Sequence, residues 1–115
     1  MLFQESRKNM AYNVHITSKA EKDLDDIVTY ISEELKNPKA ASRILEEFLE
    51  EKVNISDNPY MYPLSFDARL QAEGYHKFIF HRNYVALYLI DETEEKNNVW
   101  IMRIFNGKMN YPKLI

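Results

Sequence analysis

A chain of 115 residues with a net charge of −3 and no cysteine suits one domain. It is long enough to bury a core without disulfide or metal staples, and disulfides and thiolate metal sites are excluded, in keeping with a reducing cytoplasm. No apolar run approaches the roughly 20 residues that span a bilayer, and MLFQESRKNM lacks the apolar stretch of a signal peptide, so no membrane contact is expected.

Residues 1–10 are polar and unpatterned, and are expected to form a flexible arm ahead of a single domain over 11–115. Whether 1–9 belong to the natural chain is open, since Met10 offers a second start. Ala11 to Thr17 alternates, with Tyr12, Val14 and Ile16 on one face, and reads as a half-buried strand. Ser18-Lys19-Ala20-Glu21 has the form of a capping box, with Ser18 at the cap. The helix it opens places apolar residues at 20, 24, 27, 28, 31 and 35, one helical stripe. Acidic residues load its first turns, as the helix dipole favours.

Asn37-Pro38 stops this helix and starts another. Its stripe is Ala41, Ile44, Leu45, Phe48, Leu49 and Val53. So short a link makes an antiparallel helical hairpin, and both stripes need a common apolar surface. Asp57-Asn58-Pro59 ends the second helix, Tyr60 to Pro63 is an ordered aromatic loop, and 64–74 is irregular or a short helical turn. Three strands follow: Tyr75 to His81, Tyr84 to Ile90 and Val99 to Phe105. Arg82-Asn83 is the first hairpin turn, and Asp91 to Asn98 is a polar loop. The order β-α-α-β-β-β predicts an α+β fold, a helical hairpin packed on one face of a mainly antiparallel sheet.

Among candidate sites, metal motifs and phosphate-binding glycine loops are absent, and no cofactor is expected. The negative charge lies in the first half. Residues 11–57 carry 11 acidic and 6 basic side chains, whereas 74–115 carry 4 and 6, the acids grouped in Asp91-Glu92-Thr93-Glu94-Glu95. An overall −3 argues against strong sequence-independent nucleic-acid binding but permits a small basic site. Alternation puts Tyr84 and Tyr88 opposite Val85, Leu87 and Leu89. If the latter meet the helices, the tyrosines line the open face, as a water shield or as a floor for a partner. His76, Arg103, Lys108 and Tyr111 could gather in a groove on that face. Such a set suits stabilising a phosphorane-like charge and equally suits docking an acidic peptide.

The element order, together with ITSKAEKDLDDIVTYISEEL, GYHKFIFHRNYVALYLIDE and VWIMRIFNGKMNYPKLI, resembles the RelE/ParE superfamily of toxins from type II toxin–antitoxin modules. The likeness runs from Tyr12 to Leu114. It implies a growth-inhibiting toxin bound by a cognate antitoxin, with one of two activities. RelE-like members cut mRNA on the ribosome by 2′-hydroxyl attack. ParE-like members are associated with inhibiting DNA gyrase. Direct DNA binding by the toxin alone is not expected.

Carried over residue by residue, the family's arginine after GY is His76 here. The two arginines after the last glycine are Lys108 and Met109, the acid after them is Asn110, and the tyrosine-like position is Tyr111. Lysine cannot reproduce a bidentate arginine clamp, although histidine can still exchange protons near neutral pH. The resemblance therefore favours the ParE-like branch, with Tyr84, Tyr88, Lys108 and Tyr111 as residues that meet antitoxin or target. The alternatives are a ribosome-dependent endoribonuclease using His76, Arg103, Lys108 and Tyr111, and a non-toxic module that only binds antitoxin.

Overall fold

The computed structural model describes residues 12–93 and 96–115. The arm expected over 1–10, the start of the first strand at Ala11, and Glu94-Glu95 of the polar loop lie outside the described residues. The elements are β1 (Asn13–Ile16), α1 (Ser18–Thr29), α2 (Pro38–Asp57), α3 (Ala68–Ala72), β2 (His76–Phe80), β3 (Tyr84–Thr93) and β4 (Lys96–Asn106). The strands form one mixed sheet in the order β1-β4-β3-β2. β1 runs parallel to β4, and the other neighbours are antiparallel. No helix among the described residues is long and apolar enough to cross a membrane.

The cap of α1 sits one residue earlier than expected. Thr17, not Ser18, accepts the Ala20 amide at 3.1 Å, and its hydroxyl also donates to the Met102 carbonyl at 2.9 Å. Thr17 is preferred because it is the residue that leaves β1 against β4, so one hydroxyl serves both helix and sheet. α1 then widens into a π-helical turn over Tyr30–Glu34, closed by Leu35 N–H on the Tyr30 carbonyl at 3.1 Å. The extra residue in that turn rotates Leu35 off the expected stripe, leaving it exposed. Lys36 takes a left-handed conformation (φ 51°), and Asn37 caps α2 by accepting the Ala40 amide.

On α2 the buried stripe is Ala41, Ile44, Phe48 and Ile55. Leu45, Leu49 and Val53 lie one position round the helix, at 39%, 46% and 62% exposure. The expected stripe therefore merged a core face with an exposed apolar edge.

The helices cover one face of the sheet, around Phe48, Phe78, Phe80, Tyr84, Tyr88 and Ile101. Here the expectation for the tyrosines is corrected. Tyr84 and Tyr88 face the helices, Tyr88 is fully buried, and its hydroxyl donates to the Pro59 carbonyl at 2.7 Å. Both faces of β3 are apolar, so alternation alone could not choose between them. What decides is a partner for the buried hydroxyl, supplied by the Asn58-Pro59 turn after α2.

The opposite face is also covered. Leu70 of α3, Tyr75, Val85, Leu87 and Phe105 form a second core, against which Met102, Tyr111 and Ile115 pack. Gly74 (φ 88°) makes the turn from α3 into β2. The expected polar loop at 91–98 is largely strand: β3 runs to Thr93 and β4 starts at Lys96, with the two residues paired.

Truncating Phe48, which contacts Phe78 and Phe80 at ring-centroid distances of 6.1 and 5.4 Å, should cost about 3–5 kcal/mol. Tyr88→Phe should cost about 1 kcal/mol. Urea unfolding monitored by circular dichroism checks both values and their order.

Candidate functional site

β4 carries a bulge opposite Leu87 and Tyr88: Leu87 pairs with Arg103, whereas Tyr88 pairs with Ile101. The bulge places both Met102 and Arg103 away from the helices and breaks the simple alternation expected of this strand. Asp23 of α1 answers it. Its carboxylate accepts from Arg103 Nε at 2.8 Å, from Arg103 Nη2 at 3.1 Å and from the Ile104 amide at 2.9 Å. Both side chains are largely buried. The hydrogen bond to Asp23 raises the Arg103 guanidinium above its ordinary value, with burial opposing. The guanidinium also lies 4.5 Å from the Phe105 ring centre and donates to the Leu114 carbonyl. All of its strong contacts are structural ones.

His76 points to the helix side. Its Nδ1 is 2.8 Å from the Tyr62 carbonyl. A carbonyl only accepts, so Nδ1 holds a proton. The ring stacks on Tyr88 at 5.3 Å and meets Tyr60 edge-on at 6.0 Å.

Tyr111 begins a 3-10 turn over Tyr111–Leu114 that folds back over the second face. Its ring stacks on Phe105 at 5.8 Å. Burial, followed by the charge of Asp67, pushes its phenol above the ordinary value, so it is un-ionised at neutral pH and a poor general base. The turn is latched by Arg69, which donates to the Pro112 and Ile115 carbonyls.

The expected groove of four therefore does not assemble. His76 is on the opposite face of the sheet from Arg103, and Arg103 is committed to Asp23. Only Lys108 and Tyr111 share a cleft, of about 370 Å³, lined also by Lys77, Ile79, Arg82, Asn83 and Gly107. Among the described residues, Lys77, Arg82 and Lys108 are in no ion pair. Lys77 does lie 4.7 Å from the Phe66 ring centre. Gly107 seats the cleft: its amide donates to the Asn83 carbonyl at 2.7 Å, and a Cβ there would stand 3.2 Å from that oxygen.

Lys77 and Arg82 join the cleft as residues that the sequence does not single out. Their signal was the odd-numbered face of β2 and the turn that follows it. It is read only once the chain's end is known to pack beside that turn.

This arrangement of helical hairpin, mixed sheet and returning tail defines an α+β fold shared with a protein of a chromosomal ParDE TA system from P. aeruginosa. The two are similar with a TM-score of 0.66 at 18% identity, over 86% of this chain and 99% of that one. The sequence itself matches the family model of the ParE toxin of type II toxin-antitoxin system, parDE, over residues 14–111. The chain belongs to that family. No curated protein sequence matches it.

Asp23→Ala strands both Arg103 and the Ile104 amide. It should cost about 3 kcal/mol, whereas breaking the exposed Lys22–Asp26 pair with Lys22→Ala should change stability by less than about 0.5 kcal/mol. Chemical denaturation of the two variants checks the contrast.

Burial and the Glu51 carboxylate push the Tyr62 phenol up to about 12. The unfolded chain releases that proton near the ordinary tyrosine value of about 10, so stability should fall as pH rises from about 10 to 12. Tyr62→Phe should make this slope shallower in denaturant midpoints measured across that range, the rest coming from other raised tyrosines such as Tyr12.

Proposed function

We propose that this chain is the growth-inhibiting toxin of a type II toxin–antitoxin module. In this reading it works in the cytoplasm, is silenced by a cognate antitoxin, and acts by binding a protein target such as DNA gyrase. Membership of the ParE toxin family supports the toxin reading. The observation that carries the choice of mechanism is the dispersal of the nuclease candidates. His76 donates to Tyr62 on the helix side, Arg103 is held by Asp23, and Tyr111 is stacked and un-ionised. A 2′-hydroxyl attack needs a base and a cation at one reacting centre, within hydrogen-bond reach. The separate placement of these three supports the binding reading over the nuclease one.

One observation favours a ribosome-dependent endoribonuclease instead. Lys108 and Tyr111 do line one cleft, and a lysine can stabilise a phosphorane-like charge. The two mechanisms differ in what the cell shows.

Induced expression should arrest growth, and co-expression of the antitoxin from the neighbouring gene should restore it. Purified protein should inhibit supercoiling by gyrase, and mRNA 5′ ends mapped on translating ribosomes should be unchanged. Site-specific cuts that disappear with Lys108→Ala would establish the nuclease. An absence of any arrest would leave only antitoxin binding.

A further inference from the structure

We propose that the outer edge of β2, with the cationic cleft beside it, is a docking site for an acidic, extended segment of a partner protein, which adds to the sheet as a strand. The inference rests on the reading that this toxin works through protein partners, and it names the surface and the chemistry of one of them.

The backbone makes the first part of the case. β2 is the last strand of the sheet, and its pairing with β3 uses one edge only. The outward edge begins covered: Ser65 N–H donates to the Tyr75 carbonyl and Lys77 N–H to the Pro63 carbonyl. The cover then ends, because the chain turns away at Ser65 toward α3. Antiparallel alternation points the same outward direction from Lys77 C=O and from both Ile79 groups. Among the described residues these have no partner. An unpaired edge is a template for another strand.

The side chains select the occupant. Ile79 is half exposed beside this edge. Lys77, Arg82 and Lys108 line the adjoining cleft. On the other side of the same turn, Arg82 and Asn83 border a second cleft of about 400 Å³ with Arg43, His81 and Glu47, where Glu47 is bonded to His81. An incoming strand thus meets cations on both of its faces and an apolar contact at Ile79. Alternating acidic and β-branched residues complement that pattern.

Single-stranded nucleic acid fits less well. It offers no amide backbone for the open edge, Tyr111, the one ring lining the cleft among the described residues, is already stacked on Phe105, and the chain's net charge is −3.

Backbone strain at the turn points to the same place. His81 (φ 48°) and Arg82 (φ 65°) both adopt the left-handed conformation, which favours glycine or asparagine. An arginine in that conformation costs stability, and such outliers concentrate at binding sites.

The test uses the full chain and fluorescein-labelled ten-residue peptides in which Glu and Val alternate, in both registers, measured by fluorescence anisotropy. Binding should weaken as salt rises. It should fall at least tenfold with Lys77→Glu and with Arg82→Gly, and be lost when alternate peptide amides are N-methylated. Arg82→Gly should leave the melting temperature unchanged or raised, which separates lost binding from lost folding.

Failure of both registers to bind would overturn the proposal. So would indifference to N-methylation, displacement by oligouridylate that binds more tightly, or occupation of the edge by a second copy of the chain, seen as a dimer that the peptide cannot dissociate. None of these outcomes bears on growth arrest, so failure here and failure of the toxin reading are distinguishable.

Discussion

Beyond Ile101, where β1 stops pairing, the outer edge of β4 would turn bare backbone groups toward α1 if nothing replaced the lost strand. Thr17 takes the Ile101 and Met102 carbonyls through its amide and hydroxyl, and Asp23 takes the Ile104 amide. The first two turns of α1 therefore continue the ladder that β1 began. This matters because the cost of an unpaired buried backbone group, about 1–3 kcal/mol, is a large fraction of a small domain's stability. The bulge at Met102 and Arg103 is tolerated for the same reason. The carboxylate that answers Ile104 also grips the guanidinium the bulge has turned aside.

That tie determines how the chain ends. With Arg103 fixed by Asp23 through Nε and Nη2, its Nη1 donates to the Leu114 carbonyl, while Arg69 reaches the carbonyls of Pro112 and Ile115. Two arginines anchored on separate elements thus hold the last turn flat over Phe105 and the second core. The stretch after Gly107 is a lid on the sheet, and the cleft at Lys108 exists because the lid begins there. Arg103 supplies architecture where an open groove would have needed it for chemistry.

The elements themselves were legible because each follows from a local rule. Period-two alternation in 12–16, the 20-24-27-31 stripe and the Asn37-Pro38 break all survive in the folded chain. The mainly antiparallel sheet was legible too; what escaped was which face of each strand meets the helices. The apolar β3 could turn either side to the helices, and the choice fell to a hydroxyl on Tyr88 and a carbonyl on Pro59, 29 residues apart. On α2, Leu45 and Ile44 look equivalent by hydropathy, yet only one meets the sheet. The bulge has no sequence mark at all, since Met102-Arg103 resembles any strand interior. It nonetheless reassigns every side chain from Arg103 to Phe105. Site prediction inherited these errors, because a groove built from strand parity fails when one parity is reversed.

The net charge of −3 is also a poor guide to any one surface. Exposed acids such as Asp26 and Glu50 stand on the helical layer, whereas Lys77, Arg82 and Lys108 converge at the far edge of the sheet, around the turn after β2. Over distances beyond about 8 Å, exposed charges are screened at physiological salt, so each surface acts with its own sign. A polyanion engaging many phosphates would feel both surfaces, and the acidic helices would repel it. A short acidic strand at the β2 edge would feel mainly the nearby cations, since Glu47, the acid beside Arg82, is engaged by His81. A separation that would weaken nucleic-acid binding would thus leave a peptide-sized attraction intact, and the open backbone of Ile79 would give that attraction a register.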